Sequence, residues 1–317
     1  MPAYYGDDAI LHLSEQVKRV DPKSSSHWDK FHKDFSFFRG EFTGVDGFGS
    51  NEKKYTGLRK LVHLLFQASF DRMGKKFHTF DSINNTSKSI LDAQDKGRSL
   101  DVLRQVITLA YLSDRKAITK NGLSCVIGDG YATMTSLLLK SSNQRVVLVN
   151  LTKTLLMDLW QLKLLLGDNF ESSVALVTDR DSMQSVISKV EGAPLVVAVK
   201  AEDHQLIQFC PIDLTINIAS MQEMNPEFVA EYFYDISIAS KKNGGLFYCC
   251  NRERKVLPDG TMVVFEEYPW HLSDETLEDE LCPWHQKYYN IKFPFYHNYD
   301  GPIRHRLVKF KQEDAND

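Results

Sequence analysis

Short apolar runs alternate with stretches of helical periodicity between residues 121 and 250, and this alternation constrains the fold more than any other feature. The runs are rich in β-branched residues and almost continuous, which is typical of parallel strands buried on both faces. Strands are predicted at residues 123–127, 145–149, 173–177, 195–199, 214–219 and 246–250. Because helical stretches lie between these runs, the pattern predicts an α/β fold in which helices cover both faces of a parallel sheet.

The chain has a different character on either side of this region. Beyond residue 251, a Pro-Asp-Gly turn indicates a hairpin over residues 256–264, and residues 306–311 form a further strand candidate. These strands predict an antiparallel end to a mostly parallel, Rossmann-like sheet. Before residue 121, amphipathic helices are predicted at residues 8–20, 56–73 and 99–112, the last with Ser99 as its N-cap. We therefore predict a helical, substrate-side cap over residues 1–115 and a nucleotide-binding type domain over residues 116–317.

Composition excludes several classes of protein. The chain has 317 residues and a formal net charge of −4, which gives no global footprint for nucleic acid. No apolar stretch reaches the roughly 20 residues of a membrane-spanning helix, and the first residues do not resemble a secretory signal. The cysteines lack a C-x-x-C spacing, which predicts buried free thiols and no metal site. These features favour a cytoplasmic protein.

The segment between the first predicted strand and its helix is the first candidate for binding chemistry. It reads Cys-Val-Ile-Gly-Asp-Gly-Tyr-Ala from residue 125. Gly128 and Gly130 allow a tight turn and a close approach of ligand to backbone, and a helix N-terminus follows them. We predict that Gly128, Asp129, Gly130 and Tyr131 contact a cofactor; the alternative is a tight turn without a ligand.

Other candidates follow the ends of later strands, where ligands bind in sheets of this type. Asn150 lies 20 residues after Gly130, the distance at which a residue that accepts hydrogen bonds from ribose hydroxyls is expected. Its side chain is an amide, whose oxygen can still accept such a bond. The alternative is a role as a turn or N-cap residue. Glu223 is a candidate general base, with a helix N-terminal carboxylate as the alternative. The remaining cofactor candidates are Asp179, Ser220 and Gln222.

The last 50 residues are dense in histidine and aromatic residues. Aromatic faces stack on sugar rings, and histidine can take up a hydroxyl proton near neutral pH. We select His271 and His297 as candidate catalytic residues, with an aromatic-packed surface as the alternative. The acidic stretch at residues 274–280 is interpreted as a solvated helix face. The glycine-rich loop around Gly47 is interpreted as a flexible loop that could close over the site.

Several segments together resemble the family of sugar O-methyltransferases. The resemblance covers about residues 115–310, and its more specific parts are Ser-Met-Gln-Glu-Met at residues 220–224 and Phe-Tyr-Cys-Cys-Asn at residues 247–251. It implies a class I methyltransferase fold and S-adenosyl-L-methionine (SAM) as cofactor. It also implies methylation of a sugar or glycan hydroxyl, with a homo-oligomer as an open alternative to a monomer.

Two departures from that family leave other functions open. Val126 stands where an acidic residue usually precedes the first glycine, and Asn150 replaces the usual ribose-binding acid. Asp129 or Asp158 could take over from these carboxylates. A degenerate Rossmann-like binding module that has lost or weakened its affinity for SAM is the main alternative function, and an NAD-dependent enzyme is another.

Overall fold

The structure is a computed structural model that describes residues 3–38, 40–45, 54–189, 191–290 and 292–311. The loop around Gly47, which the sequence predicts to close over the site, lies outside the described residues. The helices are α1 (Gly6–Gln16), α2 (Ser26–Phe31), α3 (Gly57–Gly74), α4 (Phe80–Ala93), α5 (Leu100–Asp114), α6 (Thr133–Ser142), α7 (Thr152–Leu166), α8 (Phe170–Ser173), α9 (Arg180–Ile187) and α10 (Pro226–Lys241). Short 3₁₀ segments complete the helical structure, the longest at Ala201–Phe209.

The described strands fall into one large sheet and three small hairpins. The strands are β1 (Tyr4–Tyr5), β2 (Ser36–Phe38), β3 (Glu41–Thr43), β4 (Leu123–Ile127), β5 (Arg145–Asn150), β6 (Val174–Val177), β7 (Val196–Lys200), β8 (Leu214–Ile218), β9 (Leu246–Arg252), β10 (Arg254–Val256), β11 (Met262–Val264), β12 (Glu275–Leu281), β13 (Lys287–Tyr289), β14 (Tyr296–Asn298) and β15 (Ile303–Lys309). The large sheet has the order β1-β6-β7-β5-β4-β8-β9-β15-β12.

The large sheet confirms the predicted fold class. Its central strands β6, β7, β5, β4, β8 and β9 run parallel, while β15 and β12 add an antiparallel end. Side chains alternate between the two faces, so that Val126 and Leu148 lie in one core cluster and Ile127 and Val149 lie in another. Helices cover both clusters, which is the layered arrangement of a Rossmann-like α/β fold.

The N-terminal helices pack on one face of the sheet. Helices α4 and α5 contact each other and α6, and Ser99 caps α5 by accepting a hydrogen bond from the Val102 N–H at 3.1 Å, as predicted. The strand β1 pairs with β6 and extends the sheet itself. Residues 1–115 therefore share a core with the sheet they cover, and the division of the chain at residue 115 stays a prediction.

Two local predictions were wrong. The acidic stretch interpreted as a helix face is the edge strand β12, which pairs antiparallel with β15 and has almost all of its residues exposed. The apolar face assigned to the helix at residues 56–73 is not the buried one: α3 buries His63, Gln67 and Phe70 and leaves Leu61 and Leu65 exposed. Tertiary contacts to Tyr289, which hydrogen-bonds to both His63 and Gln67, decide this orientation.

Among the described residues, no helix combines the length and the apolar character needed to cross a bilayer.

Candidate functional site

A cavity of about 330 Å³ opens where the parallel strands end, beside the strand at which the chain order reverses. From β4 the chain proceeds to β5 on one side, and it later returns to β8 on the other side, so a crevice forms at this edge. The cavity is lined by residues that follow β4, β5, β7, β8 and β9: Ile127, Gly128, Asp129, Gly130, Val149, Asn150, Leu151, Ala201, Ile218, Ala219, Ser220, Gln222, Glu223 and Arg252. Its volume lies at the lower end of the range for ligand-binding pockets.

The two glycines of the turn after β4 have different surroundings. Gly128 has φ +72° and packs against Ser220, whose Oγ would lie 2.0 Å from a Cβ placed at residue 128. Gly130 has φ +63°, but a Cβ there would meet no described atom within 4 Å. Gly128 is therefore required for contact between the loops after β4 and β8, while Gly130 borders open space in the cavity wall.

The backbone remains left-handed beyond the glycines, at Tyr131 (φ +64°) and Ala132 (φ +49°). Such conformations cost about 1–2 kcal/mol for each non-glycine residue and need support from their surroundings. Asp158 provides it from α7, because its Oδ1 accepts a hydrogen bond from the Ala132 N–H at 2.7 Å. This carboxylate is completely buried.

The start of α6 is occupied by a second carboxylate. Asp129 accepts hydrogen bonds from the N–H groups of Met134 and Thr135 at 2.9 and 2.7 Å. Burial raises the pKa of both Asp129 and Asp158, and the neighbouring Asp129 contributes to the shift at Asp158. The N–H groups that would hold a phosphate at this helix N-terminus are thus already bonded to carboxylates, and a diphosphate here would meet negative charge.

A buried cation lies behind the same turn. The Nζ of Lys96 is 3.7 Å from the centroid of the Tyr131 ring and has no hydrogen-bond partner among the described residues. Burial lowers the pKa of Lys96 to about 7, although the nearby carboxylates of Asp158 and Asp129 act in the opposite direction and raise it. Tyr131 is buried between this cation and the core, so it supports the turn from behind and is absent from the cavity wall.

Asn150 lies at the end of β5 and lines the cavity, as the sequence predicts for a ribose-binding residue. Its Nδ2 donates a hydrogen bond to Asp158 Oδ2 at 2.8 Å, and its Oδ1 accepts one from the Leu151 N–H at 3.0 Å. The amide therefore connects the cavity wall to Asp158, which itself does not reach the cavity. Of the two carboxylates proposed to replace the missing acids, only Asp129 lines the cavity.

The loop after β8 carries three predicted residues into the cavity wall. Ser220 packs against Gly128, and Gln222 accepts a hydrogen bond from the Arg252 N–H through Oε1 at 2.8 Å. The carboxylate of Glu223 accepts a hydrogen bond from Lys255 Nζ at 2.6 Å, and its other oxygen lies 3.4 Å from His27 Nε2. Burial lowers the pKa of His27, so its imidazole is neutral near pH 7 and can accept a proton.

The opposite wall contains residues that sequence reasoning missed. Arg104 on α5 donates to Asp101 Oδ1 at 2.9 Å and to the hydroxyl of Tyr299, and all three residues line the cavity. Trp28 and His285 complete this side. Arg104 occupies a buried position in an amphipathic helix, where only the charge itself could have singled it out, and its partner Tyr299 is 195 residues away.

Besides Tyr131, three predicted residues do not reach this cavity. Asp179 follows β6, but β7 lies between β6 and β5 in the sheet. The residue beside the cavity is therefore Ala201, which follows β7, and Asp179 instead caps α9. His271 lines a different cavity beside Trp270 and bonds to Ser273. His297 is in β14 and stacks on Tyr288, with 5.2 Å between ring centroids.

Comparisons with known proteins identify no family for this chain. No protein-family model and no curated protein matches it. Among solved structures, it is similar to MtNAS in complex with MTA and tNA (9% identity, 96% of this chain and 97% of that one, TM-score 0.37). Two others are Haemonchus contortus phosphoethanolamine N-methyltransferase 2 with S-adenosylhomocysteine (12%, 64% and 52%, 0.37) and the pyocyanin biosynthetic protein PhzM (10%, 64% and 57%, 0.35). At these identities and TM-scores the likeness concerns the fold alone.

Proposed function

We propose that the chain is a SAM-dependent O-methyltransferase that acts on a sugar or sugar-derived hydroxyl. The observation that carries this proposal is the occupied helix N-terminus beside the cavity. Asp129 and Asp158 already accept hydrogen bonds from the N–H groups of Ala132, Met134 and Thr135, so these donors are not free to bind a diphosphate. A cofactor with a positively charged sulfonium and no phosphate fits this turn better than a dinucleotide does.

Residues of the cavity wall can be assigned to the two ligands. Gly128, Asp129, Gly130, Asn150, Ser220 and Gln222 stay as the proposed cofactor-binding residues, because all of them line the cavity. Trp28 and Tyr299 supply aromatic faces for a sugar ring. Three cationic and three acidic side chains line the wall, which favours a neutral, polar acceptor over an ionic one: Lys23, Arg104, Arg252, Asp101, Asp129 and Glu223.

Methyl transfer from a sulfonium to a hydroxyl requires an in-line approach and removal of the hydroxyl proton. The chain contributes by holding both groups in the cavity and by placing Glu223 at its rim. In this proposal the Glu223 carboxylate, oriented by Lys255 and adjacent to the neutral His27, takes up the proton as the oxygen attacks. SAM supplies the activated methyl group when it is bound.

Titration calorimetry with SAM and with its demethylated product tests the cofactor assignment. We expect heat of binding with a dissociation constant in the micromolar range for both compounds, and no heat with NAD. If millimolar SAM gives no heat, the proposal fails and the degenerate binding module is favoured, for which the replaced acids at Val126 and Asn150 are the motivating observation.

The substitution Glu223→Gln tests the base. We expect turnover to fall by about 10²–10⁴-fold, because glutamine keeps the shape of the side chain but cannot take up a proton. SAM affinity should change little. Glu227→Gln is the matched control, since Glu227 is exposed on the next helix and does not line the cavity. Unchanged turnover in Glu223→Gln, measured with an acceptor that the wild type methylates, would remove this assignment.

A further inference from the structure

Three buried side chains with nitrogen and sulfur donors lie close together behind the acceptor side of the cavity, which is the wall that contains Arg104 and Tyr299. Cys250 lies on β9, Cys282 follows β12, and His285 comes three residues later. One potential ligand atom from each lies within 4.8 Å of the other two. The sequence predicts no metal site because no C-x-x-C pair is present; the close pair is Cys282 with His285, and the third residue lies 32 positions earlier in the chain.

The segment that carries two of these side chains is a rigid turn. The His285 N–H donates to the Cys282 carbonyl at 3.1 Å, and Gln286 Nε2 donates to the same carbonyl at 2.8 Å. The Cys282 N–H in turn bonds to the Ile303 carbonyl at 2.9 Å, which ties the turn to β15. The Trp284 N–H donates a hydrogen bond to the Cys282 sulfur. The turn is therefore organised as a metal-binding element would be.

His285 gives an independent indication of a missing ligand. Its Nε2 is buried and has no hydrogen-bond partner among the described residues, although such an orphaned group costs about 1–3 kcal/mol. Burial, reinforced by the nearby charge of Arg104, lowers the pKa of His285 well below its usual value. The buried Nε2 is therefore available to bind a ligand that the described residues do not supply.

We propose that Cys250, Cys282 and His285 bind one Zn²⁺ ion, with the fourth position left for water or a ligand that enters from the cavity. Two thiolates and a neutral imidazole suit Zn²⁺ and exclude Mg²⁺ and Ca²⁺, which require oxygen ligands. Tetrahedral zinc with bonds of about 2.1–2.3 Å places its ligand atoms about 3.5–3.8 Å apart, so the observed cluster needs only a small contraction. As the two Zn–S bonds form, the two thiol protons pass to solvent.

The fourth position is assigned to the cavity because His285 is the member of the cluster that lines it. Arg104 and Ile303 line the same part of the wall. Three protein ligands with one open position are typical of zinc sites that bind a water or a substrate oxygen, whereas purely structural sites use four protein ligands. A zinc ion here would contact the acceptor side of the proposed methyltransferase site and stands apart from the glycine turn.

Metal analysis of the whole chain, purified without chelators and under reducing conditions, tests this inference. We expect one zinc per chain, and we expect Co²⁺ substitution to give the absorption bands of a tetrahedral thiolate-ligated ion. Cys282→Ser and His285→Ala should each lose the stoichiometric zinc. Cys210→Ser is the matched control, because Cys210 is buried beside Met183 in the other core cluster and should keep one zinc per chain.

The wild-type measurement decides the matter even if the variants fail to fold. A wild-type chain with substoichiometric zinc that also takes up no Co²⁺ would overturn the proposal, as would mass-spectrometric evidence for a Cys250–Cys282 disulfide in place of the two thiols. Metal content does not depend on SAM binding. A chain that carries zinc but does not bind SAM would therefore contradict the proposed function alone.

Discussion

The substitution Asn150→Asp is expected to lower the stability of the fold, although it introduces the acid that the resemblance to sugar O-methyltransferases implies at this position. The Asn150 Nδ2 now donates to Asp158 Oδ2 at 2.8 Å. An aspartate at residue 150 would place two carboxyl groups against each other in a buried site, where the only donor between them is a proton that one of them must retain. We expect a loss of about 2–3 kcal/mol in the free energy of unfolding near neutral pH, together with weaker SAM binding.

The loss of stability should depend on pH, and the direction of this dependence follows from the raised pKa of Asp158. A carboxyl group whose pKa is higher in the folded state binds more protons there than in the unfolded chain, where its pKa is about 3.9. Its contribution to stability is therefore lost as the pH rises above that value. A second carboxyl group at residue 150 enlarges the effect, so the difference in stability between variant and wild type, measured by urea unfolding, should widen as the pH rises above about 3.9.

Two variants separate this mechanism from a general effect of added charge. Asn169→Asp makes the same change at an exposed position and should leave stability nearly unchanged. The double variant Asn150→Asp/Asp158→Asn reverses the donor and the acceptor, and the new amide at 158 can still accept from the Ala132 N–H through its oxygen. We expect this exchange to recover most of the lost stability and SAM affinity. Tighter SAM binding by Asn150→Asp alone, at unchanged stability, would contradict the argument.

The sequence predicted the central sheet accurately because its strands are buried on both faces. The four central residues of β5, 146–149, are all apolar and buried, and the helical periodicity of the segments on either side then identifies the helices. The edge strand β12 was not predicted because almost all of its residues are exposed on both faces, so that charged residues dominate it and no apolar pattern marks it. Order within the sheet was less accessible: β7 lies between β5 and β6, and no local pattern indicates which of two consecutive strands pairs with β5.

The lack of a local sequence pattern for long-range contacts also explains which site residues could be predicted and which could not. Gly128, Gly130 and Ser220 follow strand ends, so a local pattern placed them at the right edge of the sheet. Asp179 also follows a strand, but that strand, β6, is separated from β5 by β7, so Asp179 lies away from the cavity. Arg104 lies on α5 and Tyr299 in the loop between β14 and β15, and a contact over 195 residues has no local signature in the sequence.

The two glycines of the turn should respond differently to the same substitution. Gly128→Ala is expected to destabilise the fold by about 2–5 kcal/mol, the sum of a left-handed alanine and an overpacked contact with Ser220. Gly130→Ala should cost only the backbone part, about 1–2 kcal/mol, because its Cβ meets no described atom within 4 Å. Gly130 lines the proposed cofactor cavity, however, so its added methyl group should reduce SAM affinity more than it reduces stability.

A second substitution tests whether the Gly128 effect arises from this one contact. Ser220→Gly removes both the Oγ and the Cβ, which would lie 2.0 and 2.4 Å from the methyl group of an alanine at residue 128. In the Gly128→Ala background it should therefore restore the overpacking part of the lost stability, about 1–3 kcal/mol, and leave the backbone part. Unfolding by urea and calorimetric titration with SAM measure the two quantities on the same samples. Equal losses of stability for both alanine variants, with no rescue by Ser220→Gly, would show that the loops after β4 and β8 do not pack as described.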